Sequence, residues 1–272
     1  MALAVSSYRR PLIAALTVLL IAACGGPTPL AKTEERDGVR YRTGSDTPFT
    51  GMLVTPLDSA KRVAVTMPYK DGLRDGRAEG KWGNGKIAFT ETWVAGKREG
   101  MREEFDSLGR KQRTQTFAGG LLDGVMRDYH QDTLVVAERE MKAGQENGLV
   151  KTWYPSGGKR SVGEYQNGRL NGRLQMWYED GRDRYDGTFL NGKPNGLVTE
   201  WHPGGQMKSR INWKEGIADG EFTRWFSNGR MQMTGHYTMG EMKDMKAWDQ
   251  EGKQLKHPVI PPKPGAHEVP QT

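Results

Sequence analysis

Short runs of alternating apolar and polar residues recur along the chain with a fixed spacing. From Tyr69 onward a large apolar, mostly aromatic residue stands every 24 residues, at positions 69, 93, 117, 141, 165, 189, 213 and 237. Each 24-residue unit contains two segments of 6–8 residues separated by turn-forming residues, a length typical of β-strands. The pattern therefore predicts a series of β-hairpins.

Two glycine columns with the same period mark the connections between these strands. The first runs from Gly72 to Gly240 and the second, four residues later, from Gly76 to Gly220, with Asp244 breaking it at the last position. The central members are Gly144, Gly148, Gly168, Gly172, Gly192, Gly196, Gly216 and Gly220. Glycine costs a helix about 1 kcal/mol relative to alanine, so the columns argue against helices and predict a wide GxxxG connection between hairpins.

A third set of glycines predicts the tight turn inside each hairpin. Asn84-Gly85, Asp180-Gly181 and Asn228-Gly229 are typical of two-residue type I′ turns, because Asn, Asp and Gly tolerate positive φ. For the unit that starts at Gly148, we expect strands at 149–154 and 159–166 with a turn at 155–158.

Pairing successive hairpins predicts an all-β fold. We expect an elongated single-sheet antiparallel β-meander built from about eight 24-residue β-hairpin repeats. Since a single sheet leaves one face uncovered, we expect aromatic rings to stack on the same column of the neighbouring repeat. Stability would then be a sum over neighbouring repeats.

These residues resemble the MORN repeat, and most closely a bacterial variant found in antitoxin-like repeat proteins. The resemblance covers residues 69–253, with a degenerate first repeat or N-terminal cap at 49–68. Lys81, Met141, the turn at Asp132-Thr133 and Asp244 depart from the pattern. The departures suggest capping roles for the first and last units. The resemblance implies a binding scaffold and does not by itself specify a ligand.

The N-terminal 23 residues resemble the signal peptide of a bacterial lipoprotein. Arg9 and Arg10 precede about a dozen apolar residues, too few to span a bilayer, which needs roughly 20. Small residues before Cys24, the single cysteine of the chain, resemble a lipobox. That resemblance implies cleavage before Cys24 and its acylation by palmitate-like chains. Gly25 after the cysteine favours an outer-membrane location.

Two polar segments flank the repeats. Residues 24–48 lack sustained periodicity and are interpreted as a tether from the lipid. Residues 254–272 contain five prolines, which cannot join a central strand, and are interpreted as a Pro-rich disordered tail.

Composition limits the partners. The net charge of +7 becomes +5 without Arg9 and Arg10, and it is spread along the chain, whereas a nucleic-acid-binding protein would cluster it. We therefore expect no nucleic acid. A mean hydropathy of −0.75 argues against a transmembrane bundle.

Candidate chemistry is sparse. The five histidines lack metal-ligand spacing, no G-x-S-x-G motif occurs, and acidic residues are not paired at matching repeat positions. We predict no catalytic residues, no metal and no cofactor, and hence no enzyme.

The aromatic columns carry the binding prediction. Most are expected to form the core, but one is expected to line an exposed groove. The groove candidates are Trp153, Tyr154, Trp177, Tyr178, Trp201, Trp225 and Phe226. Basic residues flank them, namely Arg110, Lys159, Arg182 and Arg230, and these are interpreted mainly as solvated turn positions. The expected partner is an envelope protein, with a glycan or lipid headgroup as further candidates. The alternatives are a membrane-surface or phospholipid binder and an antitoxin-like neutraliser of a partner protein.

Overall fold

The computed structural model describes residues 26–56 and 63–257. The N-terminal elements are β1 (Thr28–Pro29), a 3-10 helix (Leu30–Lys32), β2 (Thr33–Arg36), β3 (Val39–Arg42) and β4 (Gly51–Thr55). After them, two kinds of strand alternate to the end of the described region.

Strands that run towards the first glycine of each repeat are 8–9 residues long. They are β5 (Val63–Lys70), β8 (Ile87–Val94), β11 (Lys111–Ala118), β14 (Leu134–Lys142), β16 (Lys159–Gln166), β18 (Asp183–Leu190), β20 (Met207–Lys214) and β22 (Met231–Thr238).

Strands that follow this glycine are interrupted in the first three repeats and continuous afterwards. The interrupted pairs are β6 (Leu73–Arg74) with β7 (Gly76–Trp82), β9 (Lys97–Arg98) with β10 (Gly100–Phe105), and β12 (Leu121–Leu122) with β13 (Gly124–His130). The continuous strands are β15 (Gln145–Trp153), β17 (Arg169–Trp177), β19 (Lys193–Trp201), β21 (Ile217–Trp225) and β23 (Glu241–Ala247).

Neighbouring strands in sequence are neighbours in space, so the array is one long open sheet. From β4 to β23 every pairing is antiparallel, and β1 adds a short parallel edge to β4. The all-β meander of hairpin repeats expected from the sequence is confirmed. The second strand of the unit after Gly148 matches its expected bounds, and the first begins four residues earlier than expected, at Gln145.

The two faces of the sheet differ sharply in burial. On the face that carries Leu174, Met176, Tyr185 and Phe189, these side chains are at most 4% exposed. We call it the inner face and the opposite one the outer face. No second layer among the described residues covers the inner face, so the sheet must curl over it.

Paired β-bulges provide this curvature. Between β16 and β17, the single residue Glu164 lies opposite the three residues 171–173. At the other end of β17, Met176 pairs with Tyr185 and Trp177 pairs with Asp183, so β18 has one extra residue there. Bulges bend a strand and increase its twist. Because every repeat carries them near both strand ends, the sheet bends round its own inner side chains.

The two turn types are the reverse of those expected. At the first glycine column both central residues have positive φ, 50° at Asn167 and 74° at Gly168. These are two-residue type I′ turns, and the strand resumes at Arg169. The wide GxxxG connection was therefore a wrong prediction.

The Asn-Gly and Asp-Gly sites form a longer loop. Gly181 has φ 84° whereas Asp180 has no positive φ, and the Tyr178 nitrogen donates to Arg182 oxygen across three loop residues. This is a type I turn followed by a left-handed glycine, a common three-residue hairpin loop. The type I′ prediction was wrong here because the glycine stands one position later than a type I′ turn would need.

The second glycine lies inside a strand, at the bulge. Gly172 has φ +136°, and a Cβ there would lie 2.7 Å from the Cβ of Glu164. Gly196 likewise leaves no room beside Thr188, whose Oγ1 would lie 2.5 Å from an added Cβ. In both repeats a polar side chain from eight residues earlier covers this glycine.

Each type I′ turn is fastened to the preceding repeat by two hydrogen bonds. The Gly192 nitrogen donates to Leu170 oxygen at 2.7 Å, and the Asn191 nitrogen donates to Asn171 Oδ1 at 3.1 Å. The same acceptor position is filled by Asp75, Glu99, Asp123, Asn147, Asn195 and Asp219 in the other repeats. These bonds set the spacing between successive turns.

Aromatic rings of one column do not stack on each other. Residues 24 apart are two strands apart, about 10 Å, beyond the 4.5–7 Å range of ring contacts. A spacer residue from the next strand stands between them, as Leu170 does opposite Tyr165. Close ring pairs join different columns, for example Phe49 with Tyr69 at 5.9 Å, Tyr185 with Phe189 at 6.2 Å and Phe222 with Tyr237 at 4.7 Å.

The segment interpreted as a tether is folded from Thr28 to Arg42. β2 and β3 form a hairpin, the Arg40 nitrogen donates to Gly72 oxygen at 2.9 Å, and the Gly72 nitrogen donates to Phe49 oxygen at 2.8 Å. An uncovered sheet edge exposes apolar residues and backbone groups. The N-terminal segment covers the edge beside Phe49, which is 1% exposed.

The C-terminal edge is closed in a similar way. The Leu255 nitrogen donates to Ala247 oxygen at 2.8 Å, and Trp248 forms a bridge with Gln254. The beginning of the predicted tail is thus part of the sheet edge. The remainder, 258–272, lies outside the described residues, as do the predicted signal peptide and Cys24.

Replacing Gly172 by alanine should lower the free energy of unfolding by about 2 kcal/mol or more, since a left-handed residue costs 1–2 kcal/mol and Glu164 must also move. Gly158→Ala is the control, because Gly158 lacks positive φ and an added Cβ would lie 3.6 Å from Glu179 oxygen. We expect the control to stay within about 0.5 kcal/mol. Urea unfolding followed by circular dichroism measures both, and equal losses would contradict the assigned role of Gly172.

Candidate functional site

The predicted groove residues divide between the two faces of the sheet. Successive residues of a strand point to opposite faces, and Trp177 follows Met176, which is 0% exposed. Trp177 therefore lies on the outer face and Tyr178 on the inner side. The same separation holds for Trp153 and Tyr154 and for Trp225 and Phe226, so the seven residues do not line one groove.

The tryptophans form a row across the outer face, which we call the Trp row. Successive cross-strand pairs supply its members, which are Trp153, Lys159, Trp177, Asp183, Trp201, Met207, Trp225 and Met231. Strands lie about 4.8 Å apart, so eight neighbouring strands give a row about 34 Å long.

The C-terminal half of the Trp row is continuously apolar. Met207 and Met231 are each 40% exposed, and Trp201 and Trp225 beside them are half-buried. Two residues before these tryptophans, on the same face, stand Thr199 and Thr223. This half of the row thus offers aromatic and thioether surface, bordered by two hydroxyl groups with Arg210 between them.

The second aromatic residue of each pair ties neighbouring repeats together. Tyr154 Oη donates to Trp177 oxygen at 2.8 Å, and Tyr178 Oη donates to Trp201 oxygen at 2.7 Å. Burial raises the pKa of Tyr178. His202 occupies the same position and its Nε2 lies 3.0 Å from Trp225 oxygen, so an imidazole takes the place of a phenol. These contacts are structural.

The basic residues expected beside the groove mostly serve turns. Arg110 pairs with Asp106 at 2.7 Å, Arg182 Nη1 donates to Pro203 oxygen at 3.2 Å, and Arg230 Nη1 donates to Gln250 oxygen at 3.0 Å. Only Lys159 of the four lies in the Trp row, with its Nζ 6.0 Å from the Trp177 ring centre. The turn interpretation holds for the other three.

The inner face changes chemistry along the array. From Tyr165 to Ala247 it holds one apolar cluster that includes Leu174, Trp213 and Phe222. Before it, the first strands hold a smaller apolar cluster that includes Phe49, Leu53 and Trp93. Between the two clusters lie ion pairs among Glu91, Arg98, Arg102, Glu104, Arg113, Asp128, Arg139 and Glu146.

The N-terminal part of the inner face opens into a cleft of about 1000 Å³, which we call the arginine cleft. Four guanidinium groups line it, from Arg40, Arg74, Arg98 and Arg102. Its apolar wall includes Leu53, Val65, Met67, Tyr69, Trp82 and Phe89. The volume and the mixed lining match those of small-molecule sites.

Glu91 is the buried centre of the charges in this cleft. Its side chain is 4% exposed, and it accepts hydrogen bonds from Trp93 Nε1 at 2.9 Å, from Arg98 Nε at 3.0 Å and from Arg102. Burial alone would raise the pKa of Glu91. The bond from Trp93 and the charges and bonds of Arg102 and Arg98 outweigh burial and hold this pKa below its ordinary value.

The arginine cleft was missed from the sequence, although a signal was present. Two residues after the first glycine of each repeat, the chain has Arg74, Arg98, Leu122, Glu146, Leu170, Pro194, Ala218 and Met242. Charge in the early members of this column marks the repeats whose inner face is not sealed by apolar side chains.

Comparison with known families matches two segments, residues 146–167 and 194–215, to the MORN repeat variant. Each match begins just after a type I′ turn and ends at the next one. A comparison with curated proteins gives no match. Repeats of this kind are generally associated with binding to membranes or proteins and are typically not enzymes.

Two further observations concern ligands and membranes. Across residues 26–56 and 63–257, no group of His, Cys, Asp and Glu side chains is arranged to hold a metal ion. Within the same ranges, no helix has the length and apolar character needed to cross a membrane.

Replacing Glu91 by glutamine should cost about 3 kcal/mol of stability at pH 7, because two arginines lose a buried carboxylate. A carboxylate whose pKa is lowered by folding stabilises the fold above the unfolded-state value, about 4.3 for glutamate, and this contribution disappears as pH falls through the folded-state value. The difference in unfolding free energy between wild type and Glu91→Gln should therefore shrink below about pH 4. Unfolding in urea as a function of pH measures it.

Glu103→Gln is the matched control on the outer face, where Glu103 pairs with Lys111 and is 31% exposed. We expect it to change stability by less than about 1 kcal/mol. A pH-independent difference for Glu91→Gln would contradict the assigned charge of Glu91.

Proposed function

We propose that this protein is a non-enzymatic, lipid-anchored protein of the cell envelope whose repeat array docks a protein partner through the Trp row. The anchor is the acylated thiol of Cys24. The array acts as a rigid scaffold that holds the row at a set distance from the membrane. The outer membrane is the favoured location.

The observation that carries the proposal is the apolar half of the Trp row. Trp201, Met207, Trp225 and Met231 are adjacent on four neighbouring strands and remain accessible. A contiguous exposed apolar patch generally marks an interaction site, and tryptophan and methionine are enriched at protein interfaces. The apolar core of these repeats is on the inner face. The fold therefore does not require an exposed apolar patch on the outer face.

The polar border of the row favours a protein over an anionic membrane surface. Gln175, Thr199 and Thr223 flank the tryptophans, and Asp186 and Arg210 on the strands between them add one charge of each sign, whereas binding to anionic lipids relies on clustered Lys and Arg. Hydroxyl and amide groups at the rim suit the hydrogen bonds that surround the apolar centre of a protein interface.

The N-terminal cap supports a short link to the membrane. The first strand pairing of the sheet joins Thr28 to Leu53, only four residues after Cys24. Four extended residues span at most about 14 Å. An acylated Cys24 would therefore keep the first repeat near the bilayer, with the Trp row on later strands farther along the array.

Site-specific photo-crosslinking tests the docking surface. A photoreactive phenylalanine analogue placed at Trp201 should yield one protein adduct of defined mass in intact cells. Placed at Leu190, which is 45% exposed on the same face but outside the row, it should not. The double variant Trp201→Ser with Met207→Ser should abolish an adduct formed from a probe at Trp225.

Other outcomes would redirect or remove this proposal. Adducts to lipid alone at Trp201 would favour the membrane-surface alternative, and adducts to glycan would favour the sugar ligand. Equal adducts at Trp201 and Leu190 would remove the row as a docking site. An adducted protein that is toxic alone and harmless on co-expression would identify the neutraliser alternative.

Metabolic labelling tests the anchor. Cells given an alkynyl palmitate should incorporate it into the wild-type protein and not into Cys24→Ala, because acylation requires the thiol of Cys24. Gly26→Ala should label normally as a control. Fractionation should then release Cys24→Ala from the membrane, and retained labelling in Cys24→Ala would disprove acylation at this residue.

A further inference from the structure

We propose that the arginine cleft binds a monomeric amphipathic carboxylate, with its charged group at Arg74 and its apolar part along the cleft wall. This site lies on the inner face at the N-terminal end of the array. It is distinct from the Trp row, and the inference does not depend on the proposed docking function.

The first argument is a charge imbalance within the cleft. Arg98 and Arg102 share Glu91, and Arg102 also pairs with Glu104 at 2.9 Å. Arg40 pairs with Glu35. These ion pairs provide a carboxylate for three of the four guanidinium groups.

The fourth guanidinium group of the cleft belongs to Arg74. Within the described parts of the chain, no carboxylate lies within ion-pairing distance of it. Its Nε donates a long hydrogen bond of 3.4 Å to Tyr69 Oη, and its guanidinium carbon lies 4.6 Å from the Trp93 ring centre. Neither contact supplies a negative charge to its terminal nitrogens. Among the residues that the structure describes, the cleft therefore has one cation without a carboxylate partner.

The second argument comes from the repeat itself. Arg74 occupies a spacer position that is charged at Arg98 and Glu146 and holds an apolar residue in the other five repeats, such as Leu170, Ala218 or Met242. The fold is thus compatible with an apolar side chain there. The packing of the array therefore does not require an arginine at this position. The arginine does, however, supply hydrogen-bond donors for a ligand.

The third argument concerns the ligand class. A single excess guanidinium matches one negative charge and can bind a carboxylate through two parallel hydrogen bonds. A phosphate monoester would bring close to two charges at pH 7, which one uncompensated arginine would not neutralise. The wall formed by Leu53, Val65, Met67 and Phe89 provides apolar surface for the rest of the ligand.

Isothermal titration with decanoate below its micelle concentration tests the site. The protein is the chain from residue 24 to 272 with Cys24→Ser, so that no acyl chain competes and every described element is kept. Decanoate should bind, whereas acetate, which lacks the apolar part, and 1-decanol, which lacks the charge, should each bind at least about tenfold more weakly.

Arg74→Met should weaken decanoate binding by about 10- to 100-fold, the range expected for a hydrogen bond to a charged group. Its affinity for 1-decanol should not fall. Because Met242 fills the equivalent position, the variant should melt like wild type. Arg74→Lys should restore part of the affinity, and Arg77→Met is the control, since Arg77 is exposed on the outer face of the same repeat.

Several results would overturn the inference. Equal decanoate affinity of wild type and Arg74→Met would remove Arg74 as the anion-binding group. Equal affinity for decanoate and 1-decanol would show a purely apolar site. Tighter binding of decyl phosphate than of decanoate would replace the carboxylate by a phosphate. Binding to anionic vesicles that needs Arg74, without binding of monomeric decanoate, would show a membrane contact instead.

Discussion

The stacking of type I′ turns is the constraint on which the rest of this structure depends. Each turn receives one backbone carbonyl and one side-chain acceptor from the repeat before it, as Leu170 and Asn171 provide for the turn at Asn191-Gly192. From the turn at Ala95-Gly96 onward, the side-chain acceptor stands 20 residues before its donor in every repeat, whereas the turn at Asp71-Gly72 reaches Phe49 and Thr50 of the N-terminal segment, one residue further back. The 24-residue period is therefore imposed by hydrogen bonding as well as by packing.

This regular backbone allows the two faces to carry different chemistry. Bulges near both ends of the strands curl the sheet, so the inner face can seal itself wherever its residues are apolar, as around Leu174 and Phe222. Where Glu91 and Arg102 replace apolar residues, the same backbone leaves a cleft. The outer face is not closed, and its Trp row remains accessible. Binding surfaces thus arise from side-chain substitution on a constant scaffold.

The sequence predicted the hairpins and their period well, because glycine columns and alternating strands reflect local backbone requirements. It misassigned the turns. The preference of an Asp-Gly pair for a type I′ turn was applied to Asp180-Gly181, but the geometry there is decided by the three-residue loop between Tyr178 and Arg182. Likewise Trp177 and Tyr178 look like one motif in the chain, although strand alternation places them on opposite faces. The hairpin within residues 28–42 also escaped prediction, although Asp37-Gly38, with φ of 48° and 77°, is a local turn signal; only its attachment to the distant Gly72 depends on tertiary structure.

By itself, the sequence determined where strands begin, how often they recur and which positions must be glycine, since these depend on φ and on neighbours close in the chain. Only the tertiary structure decided which side chains share a row and which charges stay unneutralised. Arg74 is exceptional because of its position relative to Trp93 and to the ion pairs of Glu91, and those neighbours belong to other strands. Their proximity follows from bulge positions and cross-strand register, which no local pattern of residues specifies.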